Sequence, residues 1–349
     1  MKSKKVLTIA ITALNAHDNP GPGVGVIRSL RESNDFKFRI IGLSYETMEP
    51  GAYLHNLVDV TYQVPYPSAG SEPLLERLLY IHSIEKLDVI IPNFDAELKN
   101  FIRIAPTLEQ RGIKTYLPKV EMLTRLDKLH LYDFCKQHDF PSPKTMLLNS
   151  PDKINELEEE FEYPVFVKGT FYEAYKAFNE DQVRTYFSKL SSKWGLPVII
   201  QETVEGTEIN IAGLGDGNGQ MIGAIPLRKL YITDRGKGWS GVVLSDPALI
   251  EYAGKFVESS KWRGGFELEL IRTTQDKLML LEINPRFPAW IYAATAAGQN
   301  LPEALVHMAL NKSVVPFHEY TPGKMFIRYA WELITDISEF QKFSTQGIL

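Results

Sequence analysis

With 349 residues, 44 % of them hydrophobic and 23 % charged, the chain has room for two or three domains with a proper core. A net charge of −5 argues against a nucleic-acid surface as the main function, and no run approaches the roughly 18 to 20 apolar residues of a membrane span. The single cysteine, Cys135, excludes an intrachain disulfide and a multi-cysteine metal site and fits a reducing compartment, so the expectation is a cytoplasmic protein with neither nucleic-acid nor membrane partner.

The basic start of the chain precedes a short, β-branched apolar run followed by Asn15-Ala-His-Asp-Asn-Pro. Residues 5–14 therefore read as a first buried strand and not as a signal peptide. Gly21, Gly23 and Gly25 then lead into a helical pattern through Val26, Ile27 and Leu30. Such a turn offers a helix N-terminus to an anion, but its G-x-G-x-G spacing is not a dinucleotide fingerprint. Strands at Phe38 to Leu43 and at Thr61 to Val64, a helix from Leu74 to Leu87 and a strand from Leu87 to Pro92 follow. Strands alternating with helices imply a parallel, doubly wound sheet with ligands beyond the C-terminal strand ends. Asp95 and Glu97 sit there, either facing a substrate or charging a helix N-terminus.

Residues 119–138 read as one amphipathic helix carrying Leu123, Leu126, Leu129, Leu131 and Phe134, with Cys135 packed in it. Tyr163 to Gly169 is a short apolar strand ending in Lys168, a cation suited to nucleotide phosphates. Leu196 to Ile200 is a buried strand running into Gln201-Glu202. Gly213 to Gly219 reads as a glycine-rich turn, and 226–241 as a basic, glycine-rich loop. In that loop Arg228, with Arg235 or Lys237, is a candidate to hold phosphate or an acidic substrate. A helix spans 246–259, another spans 294–310 with an interruption at Gly298, and 324–329 returns to the sheet with Arg328 as a candidate substrate contact.

The densest chemistry lies in Gly264 to Phe287. Two alternating segments flank Thr273-Thr274-Gln275-Asp276 and read as an antiparallel hairpin. Glu282 and Asn284 share one strand face, and Glu267 and Glu269 share one on the partner strand. Hard oxygen donors in that arrangement suit Mg²⁺ held together with nucleotide phosphates. A turn centred on Gln275-Asp276 sets Glu269 opposite Glu282, and a centre one residue earlier sets Glu267 there, so the register stays open.

Leu-Leu-Glu282-Ile-Asn284-Pro-Arg286-Phe resembles the metal-binding signature of ATP-grasp ligases, in the carbamoyl-phosphate-synthase-like and biotin-carboxylase-like branch. The resemblance implies an α/β chain, with a doubly wound pre-ATP-grasp domain at 1–116, a small lobe of a two-lobed α+β ATP-grasp module at 117–200, and a large lobe at 201–349. It implies ATP and Mg²⁺, with Mn²⁺ as an alternative, the metal being held by Glu269 (or Glu267), Glu282 and Asn284. By the same resemblance Lys128 of Arg125-Leu-Asp127-Lys128 and Lys168 contact the phosphates. Gln201, Glu202 and Val204 form the adenine hinge, Glu208 holds the ribose through a carboxylate that accepts two hydrogen bonds, and Arg286 stabilises the transferring phosphoryl group. Two stretches depart from the family. Gly169-Thr-Phe-Tyr-Glu-Ala-Tyr-Lys176 replaces the flexible glycine-rich phosphate loop, and Phe287-Pro-Ala-Trp290 replaces a small, glycine-rich continuation.

The expected activity is an ATP-dependent ligation of a small-molecule or peptide carboxylate to an amine acceptor through an acyl phosphate. An ATP-binding sensor or partner subunit with a shortened phosphate loop is the alternative, and a nicotinamide oxidoreductase is disfavoured by the glycine spacing. The sequence is silent on oligomeric state, so a homo-oligomer stays open.

Overall fold

The computed structural model describes residues 5–16, 20–170, 173–233 and 236–349. β1 (Lys5–Ile11), β2 (Phe36–Ser44), β3 (Val60–Gln63) and β4 (Val89–Ile91) form a parallel sheet in the order β3-β2-β1-β4. The helices α1 (Pro22–Arg31), α2 (Ser71–Glu85) and α3 (Asp95–Gln110) alternate with these strands. β1 is apolar on both faces because both are covered: Leu7, Ile9, Ala10 and Ile11 are fully buried. The glycines before and in α1 permit close packing, since a Cβ on Gly23 would lie 2.0 Å from the Thr12 carbonyl oxygen. His17, Asp18 and Asn19 of the preceding turn lie outside the described residues.

The strand order reverses beside β1, and the C-terminal strand ends converge there on Glu97. Its carboxylate accepts from Thr12 Oγ1 (2.5 Å), Asn93 N (2.7 Å) and Phe94 N (2.9 Å), and from the Tyr45 hydroxyl. Fully buried, Glu97 closes the N-terminus of α3 and does not face a substrate; Asp95, with 40 % of its side chain exposed, points outward.

α4 (Val120–Arg125) and α5 (Leu131–Gln137) replace the single helix expected over 119–138. Asp127 Oδ1 accepts from the amides of Leu129 (3.0 Å) and His130 (3.1 Å), a local bond that competes with the helical ladder and breaks it. Cys135 is buried in α5, and burial pushes its thiol up to about 11. β5 (Thr145–Leu148), α6 (Leu157–Glu160), β6 (Val165–Lys168), β7 (Ala174–Ala177), α7 (Glu180–Trp194) and β8 (Val198–Glu202) follow. Their antiparallel sheet, β5-β8-β6-β7, packs Val165, Val167, Val198 and Ile200 against Val183, Phe187 and Leu190 of α7.

β9 (Thr207–Asp216), β10 (Met221–Ile232), β11 (Gly238–Val243), α8 (Pro247–Ser260), β12 (Arg263–Arg272), β13 (Leu278–Asn284), α9 (Tyr292–Ala296), α10 (Leu301–Ala309), β14 (Met325–Ile327) and α11 (Ile337–Gln346) complete the chain. The sheet order is β13-β12-β9-β10-β11-β14. Two expected irregular stretches are largely strand. The turn expected over Gly213 to Gly219 is confined to 217–220, with Asp216 N donating to the Gln220 carbonyl at 3.0 Å; Gly213 and Gly215 lie inside β9, where a Cβ would come 2.2 Å from the Phe266 ring and 2.4 Å from the Trp262 carbonyl oxygen. Most of the expected loop at 226–241 is the β10–β11 hairpin, with Leu227 opposite Val243 and Arg228 opposite Val242. Asp234 and Arg235 lie outside the described residues.

The chain forms two compact units, one of residues 1–120, 210–267 and 284–349, the other of 121–209 and 268–283. In the first, Phe343 of α11 is fully buried with Ala52 and Tyr53, and Thr61 N donates to the Leu349 carbonyl at 2.9 Å. No helix among the described residues is long and apolar enough to cross a membrane.

Burial also marks the ends of the parallel sheet electrostatically. It pushes Glu97 and Glu49 up to about 7 each, against hydrogen bonds that pull them down, and Glu49 Oε2 has no hydrogen-bond partner among the described residues. The folded state thus retains protons that the unfolded chain releases near pH 4.5. The stability this contributes is complete below about pH 4.5 and is lost as the pH rises through about 7. The unfolding free energy from urea titrations is expected to fall between pH 5 and pH 8 by on the order of 1–3 kcal/mol per carboxyl, with a flatter slope in Glu49→Gln; an unchanged slope would remove the assignment.

Candidate functional site

In the unit of residues 121–209 and 268–283, β6 and β8 run antiparallel with Phe166 opposite Gln201. Lys168, the last residue of β6, donates from Nζ to Gln201 Oε1 at 2.6 Å, and Gln201 Nε2 donates to Thr145 Oγ1 at 3.2 Å. Lys128, in the turn that breaks the helix, places Nζ 3.1 Å from Glu282 Oε1. Lys128, Thr145, Lys168, Gln201, Leu280 and Glu282 help line a small recess, about 20 Å³ in enclosed volume, that opens to solvent. Its charges act on one another. Burial lowers the Lys168 pKa, Glu282 and Glu269 opposing the shift and Lys128 adding to it. Burial raises the Glu282 pKa, Lys128 and Lys168 opposing and Glu269 adding. Two carboxylates beside two ammonium groups supply hard oxygen donors for a divalent cation and cations for a polyphosphate, so the residues present fit both.

The hairpin that brings Glu282 here turns at Thr274 to Asp276. Thr273 N donates to the Lys277 carbonyl at 2.9 Å, and Asp276 takes φ 61°, a left-handed position that Asp tolerates better than most residues. The two acids of β12 have different partners. Glu269 is the acid that acts on Glu282, whereas Glu267 bonds Asn284.

In the other unit, Glu267 is 5 % exposed and its carboxylate is surrounded by donors. Oε1 accepts from Asn210 Nδ2 (2.9 Å) and Trp290 Nε1 (2.9 Å); Oε2 accepts from Asn284 Nδ2 (3.1 Å) and Arg286 Nη1 (3.2 Å). Glu267 thus organises four donors around one buried carboxylate. A carboxylate only accepts, so Asn284 must turn its nitrogen to Glu267 and its Oδ1 away. Arg286 is held further by its bond to the Phe287 carbonyl at 3.3 Å and by Asp95 Oδ2 at 3.5 Å.

The remaining expected residues do not line the recess. Glu202 accepts from Lys144 N at 3.0 Å and donates its own amide to the Lys144 carbonyl, Val204 is half-buried, and Glu208 is exposed on β9. Arg228 is exposed on β10. The aromatic stretch after Lys168 is partly outside the described residues (Phe171 and Tyr172); Tyr175 stacks on Tyr186 of α7 at 4.8 Å. Sequence reasoning missed the roles of Thr145 and Asn210, and read Trp290 as a departure from the family pattern beside the acceptor site. A buried amide in the otherwise apolar Ile209 to Ile211 run was the available signal for Asn210.

Comparison with known proteins gives a consistent picture. Residues 196–331 match a family model described as ATP-grasp in the biosynthetic pathway with Ter operon. The C-terminal section of the carbamoyl phosphate synthase large chain from Methanopyrus kandleri is 24 % identical over 68 % of this chain and 49 % of its own length. The vancomycin/teicoplanin A-type resistance protein VanA from Enterococcus faecium is 23 % identical over 53 % of this chain and 62 % of its own. The chain thus spans about half to under two thirds of these relatives. The biotin carboxylase of Campylobacter jejuni, solved as a beta-gamma-ATP complex, superposes with a TM-score of 0.71 at 16 % identity, over 91 % of this chain and 74 % of that one.

Because Glu267 satisfies four buried or half-buried donors, Glu267→Ala is expected to cost about 3–5 kcal/mol. Urea unfolding checks this, and a loss below about 1 kcal/mol would mean that the carboxylate is solvated and not an organiser.

Proposed function

We propose that this chain, a member of the ATP-grasp superfamily, is an ATP-dependent carboxylate-amine ligase. The observation that carries the reading is the recess in which Lys128 meets Glu282 and Lys168 meets Gln201, with Glu269 acting on the same groups. Lys128 and Lys168 hold the α- and β-phosphates of ATP. Glu269 and Glu282, with Asn284 two residues further along β13, hold Mg²⁺ or, alternatively, Mn²⁺. When bound, the metal neutralises charge on the phosphate oxygens. Gln201, Glu202 and Val204 serve the adenine and Glu208 the ribose.

The chemistry then needs positioned cations more than a nucleophile of the protein. An oxygen of the substrate carboxylate attacks the γ-phosphorus and ADP leaves. The amine nitrogen attacks the acyl carbon of the resulting acyl phosphate, phosphate departs with the bonding pair, and the nitrogen loses its proton to give the amide. Arg286, oriented by Glu267 and Asp95, is the proposed stabiliser of the charge that develops on the transferring group. Arg228 is the proposed contact for an acidic substrate. The substrate class is a small-molecule or peptide carboxylate with an amine acceptor.

One feature favours a second reading, an ATP-binding sensor or partner subunit. β6 and β7 are joined by five residues closed at the base, Gly169 N donating to the Glu173 carbonyl at 3.0 Å, where a long phosphate-covering loop would otherwise be expected.

Calorimetry is expected to show ATP binding that strengthens with Mg²⁺ and weakens roughly 10- to 100-fold in Glu282→Ala. ADP release is expected only when a particular acid and an amine are both present. Binding without turnover across a broad panel of acids and amines would favour the sensor, and no ATP binding at all would remove both readings.

A further inference from the structure

A second cluster of ligand-type side chains stands apart from the groups discussed so far. Asp35 precedes β2, while Glu303 and His307 lie four residues apart on one face of α10. One ligand atom from each of the three falls within 4.8 Å of the others, and His307 Nε2 lies 3.1 Å from Asp35 Oδ2. Two ligands of one tetrahedral ion at 2.0–2.2 Å are separated by roughly 3.4 Å, so the spacing needs little adjustment to hold a single cation.

The surroundings hold these groups in place. Ser33 Oγ donates to Glu303 Oε1, and Asn300 Nδ2 donates to Glu303 Oε2 at 3.3 Å. The His307 ring packs against Phe36, with centroids 4.8 Å apart. Ligands oriented by such neighbours lose little freedom on binding. The His307 side chain is 17 % exposed and that of Asp35 is 63 % exposed, which leaves a path for an ion from the Asp35 side. Two carboxylates face one imidazole, an excess of negative charge that a divalent cation would remove. An imidazole with two carboxylates suits a borderline cation better than Mg²⁺, which prefers oxygen alone.

We propose that Asp35, Glu303 and His307 form a site for a divalent transition cation of the Zn²⁺ class, its coordination completed by solvent. The ion fastens α10 to the start of β2, two segments 268 residues apart at Asp35 and Glu303, since 303 − 35 = 268. The site is independent of the proposed ATP recess.

The test uses the full chain without nucleotide, Co²⁺ as a spectroscopic probe and Zn²⁺ in calorimetry and thermal unfolding. Wild type and Glu282→Ala are expected to bind one Zn²⁺, to develop a visible Co²⁺ band and to unfold at higher temperature with Zn²⁺. His307→Gln is expected to lose the band and to bind Zn²⁺ at least 10-fold more weakly. Should His307→Gln not fold, the exposed Asp35→Asn serves in its place, with the same weakening expected. Wild type without a Co²⁺ band, or variants at His307 and Asp35 that bind like wild type, would overturn the site: His307 and Asp35 would then be a hydrogen-bonded pair only. Binding lost in Glu282→Ala and kept in His307→Gln would assign the ion to the recess and overturn the site equally.

Discussion

One buried carboxylate conditions the geometry of its unit. Glu267 lies away from water, and nitrogen donors on separate segments reach it: Asn210 on β9, Asn284 at the end of β13, Arg286 just after it and Trp290 beyond. Each of those donors is turned to a definite direction in return. Asn284 has to present oxygen on its far side, and the guanidinium of Arg286 is held against both Glu267 and Asp95. An acid that neither binds metal nor touches substrate in the proposed scheme thereby aims the two groups that do.

Much of this was legible from the chain alone, for a physical reason. An apolar run that ends abruptly in Glu282, Asn284, Pro285 and Arg286 has no packing use for those groups, so their chemistry stands out. The parallel first sheet was legible because β1, covered on both faces, cannot alternate and reads as a continuous apolar stretch. Lys168 was visible because a charge closes a strand whose other residues alternate into a core.

What stayed hidden depended on local competition and on contacts made across the chain. The leucine spacing through 119–138 suits one helix, and nothing in it reports that the Asp127 carboxylate will bind two backbone amides and interrupt the ladder. Gly213 and Gly215 look like a turn until Phe266 and the Trp262 carbonyl are found packed on the positions where side chains would go. That Glu267 is enclosed by donors while Glu269 acts on Glu282 could not be read from alternation, because the two acids share one strand face.

The short β6–β7 connection sets a limit on reach. β6 and β7 are separated by only five residues in the chain, and Gly169 N is bonded to the Glu173 carbonyl across the base. A polypeptide flap from this hairpin is thus too short to wrap a triphosphate, and a ligase built this way would depend on its own substrates to keep water from the activated group. Coupling would then be a property of the filled site: ATP would turn over only once acid and acceptor together close it. The size and shape of the acceptor, more than any moving lid, would decide how much of the nucleotide's free energy reaches the new bond.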